Sequence, residues 1–181
     1  TDADARFLDA LKVAALPSRP QAVHIESLGP VARDPVDTAL MAAAARFGID
    51  GHRLAADRLS AHSVPFSSER KFMATFQQVD DTTLAYVKGA PYRLLELSDR
   101  ARTANGDRRL DSASRDRLLG VNDKLAHQGL RVLALASGRV QRAEESAIGG
   151  LTFVGFVGLM DPPAAGVKET VARLREAIVV D

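Results

Sequence analysis

The chain has 181 residues, with 24 Lys plus Arg against 23 Asp plus Glu, so its net charge of +1 gives no broad field suited to nucleic acid or an acidic membrane surface. It has no cysteine, which excludes disulfide scaffolds, thiolate metal sites and cysteine nucleophiles. No apolar run approaches the roughly 18 residues of a membrane-spanning helix, and the acidic start Thr1-Asp2-Ala3-Asp4 is unlike a secretory or transit signal, so a soluble domain that does not itself enter the membrane is expected.

In chain order, Phe7, Leu8 and Leu11 stand at helical spacing, and Pro17 closes that segment. A loop rich in Pro, Ser and Gly runs to Arg33. Asp34-Pro35 then opens a helix, with Asp34 as N-cap and Pro35 in the first turn; the run from Leu40 to Phe47 stops at Gly48. A short helical stretch is expected around Leu54 to Leu59. From His62 to Lys88 the period changes to two: Phe72, Ala74 and Phe76 alternate with Met73, Thr75 and Gln77. Asp80-Asp81 reads as a turn, and Leu84, Tyr86 and Lys88 alternate again, which predicts an antiparallel hairpin. Pro91 starts a short helix through Leu97, and Asn105-Gly106 marks a turn. Asp111 or Ser112 caps a longer helix carrying Leu118, Leu119 and Leu125, stopped by Gly129. Leu130 to Ala136 and Leu151 to Leu159 read as buried strands, and Val167, Val171, Leu174 and Ile178 form a last helical stripe.

Helices and strands mix without regular alternation, so the expected class is α+β, an antiparallel sheet flanked by helices. The best boundary is Asp161-Pro162-Pro163, where two prolines stop the preceding strand. This divides the chain into a domain over residues 1–160 and a 161–181 segment too short to fold alone.

Several chemical signals are weak. Gly120-Val121-Asn122-Asp123 falls inside a helical stripe and reads as helix surface. His24, His52, His62 and His127 have no metal-ligand spacing. No phosphate-cradling G-x-x-x-x-G-K-[ST] loop, G-x-G-x-x-G or G-x-S-x-G is present. Two segments stand out. Pro65-Phe66-Ser67-Ser68-Glu69-Arg70-Lys71-Phe72-Met73 sets an aromatic before a polar and basic cluster and then a strand. Lys88-Gly89-Ala90-Pro91 ends a strand in lysine, follows it with small residues and starts a helix, a place where an anion can be held. The first is also readable as a strand end with a solvated turn, and the second as a β–α turn with a surface lysine.

Together and in this order, these segments resemble the nucleotide-binding domain of P-type cation-transporting ATPases, closest to the calcium-pump-like branch. That family carries a PFxSxRK-M segment followed by KGAP. Asp34-Pro35-Val36-Asp37-Thr38-Ala39-Leu40 is similar to its GDPTE-x-AL segment, Gly129 to Ala136 to its GLRVLA strand, and Gly155 to Pro163 to its GxxGxxDPPR stretch. The resemblance implies that Phe66 stacks on adenine, with Met73 beside the base. It sets Lys71 and Lys88 near base and phosphates, and Arg131 at the phosphates. It also implies that Gly89 and Ala90 let nucleotide approach the backbone, and that Asp37 stands at the glutamate contacting the adenine amino group. Asp37 is one methylene shorter than that glutamate, and it also lies three residues after the N-cap, where it can serve the helix terminus. Both readings stand. Ser68 is counted with the ATP-binding residues although it stands where calcium pumps often carry arginine. Asp161, Pro162 and Pro163 are the implied hinge, with Ala164 in place of the family's arginine.

The DKTGT segment with the phosphorylated aspartate and the TGD and GDGxND segments that hold magnesium are not in this sequence. The resemblance therefore implies an excised domain on the cytoplasmic side of a membrane protein. It would bind ATP or ADP (Mg-ATP in the intact pump) and work with the phosphorylation and actuator domains of its parent chain. By itself it would bind without hydrolysing, with no catalytic residue and no metal ligand of its own. Two rivals are a non-enzymatic interaction module that has lost nucleotide binding and a stand-alone phosphatase-like hydrolase. The missing catalytic aspartates count against the second.

Overall fold

The computed structural model describes residues 2–18, 34–50 and 62–160. Helix α1, Asp2–Ala15, runs into a 3-10 turn over Leu16–Ser18, with Pro17 ending the regular helix. Helix α2 is Pro35–Arg46. Asp34 caps it as expected: its Oδ1 accepts from Val36 N at 2.7 Å, and Pro35 occupies a first-turn position where an N–H has no partner to lose. Gly48, at φ 74°, turns the chain out of the helix. An edge-to-face contact between Phe7 and Phe47, with centroids 4.8 Å apart, ties the two helices together.

The strands are β1 (His62–Val64), β2 (Phe72–Val79), β3 (Thr82–Gly89), β4 (Ser98–Thr103), β5 (Gly106–Arg109), β6 (Arg131–Val140) and β7 (Leu151–Leu159). Helix α3, Pro91–Glu96, follows β3, and helix α4, Ser112–His127, lies between β5 and β6. All seven strands form one sheet in the order β1-β2-β3-β6-β7-β4-β5. The predicted hairpin is β2–β3, paired from Phe72↔Gly89 to Val79↔Thr82 and closed by Asp80-Asp81, with Asp80 at φ 52°. Asp111 caps α4 by accepting from Ser114 N at 2.8 Å.

Two features depart from the expected antiparallel sheet. β4 and β5, the arms of the Asn105-Gly106 turn, are strands that the sequence reading passed over. β4 also pairs with β7 in parallel, while the other pairs are antiparallel. The expected helix at Leu54 to Leu59, the Asp161-Pro162-Pro163 hinge, Ala164, and the stripe through Val167 and Ile178 lie outside the described residues. So do His24 and His52.

The alternation of β6 shows how the layers form. Ala134 and Ala136 pack with Phe72, Phe76 and Val87 under Leu94 and Leu95 of α3 and Leu118 and Leu119 of α4. Leu133 and Leu135 face the other way, against Val13, Ala14 and Leu40 of α1 and α2. In β7 the pairing slips by one residue, so that Leu135 faces Gly155 but Ala136 faces Phe153. The extra residue, Val154, lets Phe153 and Phe156 share one face, where their rings meet edge to face at 4.9 Å. Among the described residues, no helix is long and apolar enough to cross a membrane.

Candidate functional site

Four separate stretches of chain meet around one cavity of about 500 Å³. The start of α2 contributes Asp34, Val36 and Asp37. The β1–β2 loop contributes Phe66 and Lys71, and β2 contributes Met73. The junction from β3 to α3 supplies Lys88, Gly89, Ala90 and Pro91. The first residues of β6 supply Arg131, Val132 and Leu133. Of the nine residues singled out from sequence for nucleotide, the cavity gathers Asp37, Phe66, Lys71, Met73, Lys88, Gly89, Ala90 and Arg131. Ser68 is not among its lining residues; it is exposed in the loop between Ser67 and Glu69.

The floor of the cavity is a buried polar network. Lys88 is only 3% exposed, and its Nζ donates to Asp37 Oδ1 and to Ser18 Oγ. Ser18 in turn donates to Ala14 O at 2.8 Å. Burial pushes the Lys88 ammonium below its ordinary pKa, and the hydrogen bond and charge of Asp37 pull it back up. A buried ammonium held this way needs both acceptors, because an unpaired charge in an apolar setting is far more costly than a paired one. Asp34 supplies the N-cap bond, while Asp37, in the first turn of the same helix, directs its carboxylate to Lys88.

The rim is different in character. Phe66 is 57% exposed, so its ring is a free apolar face rather than part of the core. Lys71 and Arg131 are exposed and make no ion pair among the described residues. Lys71 has φ 63°, a left-handed conformation that a residue with a side chain seldom adopts outside turns. Its N–H donates to Ser67 O at 2.9 Å, closing the loop, and its carbonyl accepts from Ala90 N at 2.9 Å. The Phe66 loop and the Lys88-Gly89-Ala90-Pro91 segment are thus bonded directly to each other.

Gly89 sits at that seam. A Cβ added there would meet Lys71 O and would lie 2.7 Å from both Cα and Cβ of Phe72. The protein's own backbone therefore requires glycine at this position, a reason that the sequence reading did not supply.

A family model described as P-type ATPase, cytoplasmic domain N, matches residues 11–166. The chain belongs to that family. It is 36% identical over 144 residues to calcium-transporting ATPase type 2C member 1 of Mus musculus, an alignment covering 77% of this chain and 15% of that protein. It is 35% identical over 139 residues to cation-transporting ATPase pma1 of Synechocystis sp., covering 74% of this chain and 15% of the relative. The chain thus spans about one seventh of the length of the curated relatives it matches.

Within this domain N, the sequence reading missed Ser18. Nothing local marks it: Leu16-Pro17-Ser18 reads as the end of a helix, and only the fold brings Ser18 beneath Lys88, seventy positions away. Val36, Val132 and Leu133 were also missed as apolar walls. The alternation of β6 could have pointed to Leu133, which shares a face with Arg131, but not to Val132 or to Val36 of α2.

Proposed function

We propose that the chain binds ATP in this cavity, as the nucleotide-binding part of a cation-transporting P-type pump. The observation that carries the reading is the gathering, around one cavity, of an exposed aromatic ring, a buried lysine paired with the half-buried Asp37, and two exposed cations. A volume of about 500 Å³ falls in the range of pockets that enclose small organic ligands. Phe66 stacks on the adenine, Met73 packs beside it, and Lys71 and Arg131 offset the phosphate charge. Asp37 gives one oxygen to Lys88 and keeps the other to accept from the adenine amino group.

In the intact pump, this domain positions ATP so that its terminal phosphate meets an aspartate of a neighbouring domain, which also supplies the magnesium ligands. Its own contribution is binding and orientation. The isolated chain binds without hydrolysing, with a dissociation constant on the order of 0.1 to a few mM. The ion carried is set by membrane segments of the parent protein.

Base choice tests this reading. An ionised carboxylate accepts hydrogen bonds and cannot donate, whereas guanine presents a carbonyl where adenine presents its amino group. The resulting mismatch is worth roughly 1–3 kcal/mol, so ATP should be preferred over GTP by about ten-fold or more. Asp37→Asn removes the partner of buried Lys88 and weakens both nucleotides, so the ratio is the informative quantity. An amide can donate to the guanine carbonyl, and the ATP-to-GTP ratio should fall toward one. A ratio unchanged in Asp37→Asn would retire the adenine-reading role.

A further inference from the structure

We infer that Arg70 and Glu145 are positioning residues for the nucleotide site, forming a latch that fixes the Phe66 ring; the inference rests on the ATP reading above. Neither residue lines the nucleotide cavity. They border a separate pocket of about 320 Å³ with Ser67, Glu69 and Arg93. Their effect must therefore pass through the loop they hold.

The loop bonds account for that effect. Arg70 Nη1 donates to Pro65 O at 2.8 Å, and Arg70 N donates to Ser67 Oγ at 3.2 Å. Lys71 N donates to Ser67 O at 2.9 Å. Phe66 thus stands between two residues whose polar atoms are both taken up by Arg70 and Lys71. Its ring projects into solvent from a backbone gripped on either side. The Ala90 N to Lys71 O bond anchors the far end of the loop, and Glu145 anchors Arg70 itself: its Oε2 lies 2.8 Å from Arg70 Nη2. The Arg70 Nε–H is buried and has no partner among the described residues, so the guanidinium is held by its two Nη atoms.

Glu145 is a firm anchor because of its own setting. It opens the 3-10 turn Glu145–Ala147 between β6 and β7, and its carbonyl accepts from Ile148 N at 3.1 Å. Ile148 is buried in the main core beside Val64, Phe72 and Leu151. The latch therefore ties the exposed aromatic loop to the core through one ion pair. Because neither residue lines the nucleotide cavity, the pair can set the pose of the ring without touching the ligand. An exposed ion pair adds little to global stability, so its main consequence is the orientation of a ring on an otherwise solvent-facing loop.

The test is a cycle of ATP affinities on four proteins: the wild-type chain, Glu145→Gln, Phe66→Ala and the double variant. Glu145→Gln should weaken ATP about two- to five-fold, the ordinary strength of an exposed ion pair. Its melting temperature should move by no more than about 3 °C. On the Phe66→Ala background the same change should have almost no effect, because the ring it positions is gone. Equal losses on both backgrounds, or no loss in Glu145→Gln while Phe66→Ala weakens binding, would overturn the latch. An unchanged affinity in Phe66→Ala alone would instead overturn the ATP-site reading.

Discussion

Phe66→Ala should weaken ATP binding by about 1–3 kcal/mol, or roughly five- to 150-fold, and leave the fold intact. The two halves of this expectation come from one observation. A ring that is 57% exposed makes little contribution to the core, so its removal should change stability by no more than about 0.5 kcal/mol. The same exposure leaves its face open for a base, and base-on-aromatic stacking is the interaction lost. Phe66→Trp should keep most of the affinity, because a larger flat ring offers at least as much face. Phe66→Leu should behave like the alanine variant, because an aliphatic side chain of similar volume lacks the flat π-face. A melting temperature lowered sharply in Phe66→Ala, with affinity retained, would mean that the ring is structural after all.

Gly89→Ala should be the most disruptive single methyl addition near the site. The new Cβ would meet the Lys71 carbonyl and lie 2.7 Å from Phe72 Cα, and these are backbone atoms and a strand residue rather than the tip of a flexible side chain. The facing ends of β2 and β3, paired at Phe72↔Gly89, must separate to make room. Such overpacking costs about 1–3 kcal/mol, with a melting shift of about 2–4 °C for each kcal/mol in a chain of this size. Separation also breaks the Ala90 N to Lys71 O bond and moves Lys71 and Lys88 together. ATP affinity should therefore fall with stability, although no atom in contact with nucleotide has been deleted. Gly155→Ala is the control. Nothing lies within 4 Å of a Cβ there, so thermal melting should be unchanged or slightly improved. Equal melting of both variants would contradict the steric account of the seam.

The legibility of this chain follows the range over which each feature is determined. The β2–β3 hairpin was readable because period-two alternation and the Asp80-Asp81 turn are local. The cap at Asp34 was readable for the same reason, and Asp111 was one of two candidates beside Ser112. The strands β4 and β5 were not, because Ser98-Asp99-Arg100-Ala101-Arg102-Thr103 and Gly106-Asp107-Arg108-Arg109 are too charged to look like strands. Their stability comes from cross-strand and side-chain pairing, such as Arg102 Nε with Asp107 Oδ1 at 3.1 Å, and from the ion pair that Arg102 makes with Asp9 of α1. The parallel pairing of β4 with β7 joins residues more than fifty positions apart and has no local sign. The Val154 bulge hides in a continuous apolar run, where a shift of one residue leaves the composition unchanged. At the site, the motif residues Phe66, Lys71, Lys88 and Arg131 were found by resemblance. Ser18 and the Arg70–Glu145 pair depend on tertiary contacts and stay invisible until the chain is folded. Asp37 shows the limit of spacing arguments: three residues after an N-cap it could serve either the helix or a ligand, and its ion pair with Lys88 has no local sign at all.

The most direct measurement of the central claim is a titration of the isotope-labelled chain with ATP, followed amide by amide in nuclear magnetic resonance spectra. ATP bound in this cavity should give saturable shifts, at concentrations up to a few mM, concentrated on Phe66, Lys71, Met73, Lys88, Gly89, Ala90 and Arg131. Inorganic tripolyphosphate should move the amides near Lys71 and Arg131 and leave Met73 nearly still. The absence of shifts at those concentrations would contradict the account. So would shifts gathered instead on the arginine-lined cleft at Arg100, Arg109 and Arg115, a second cavity of similar volume.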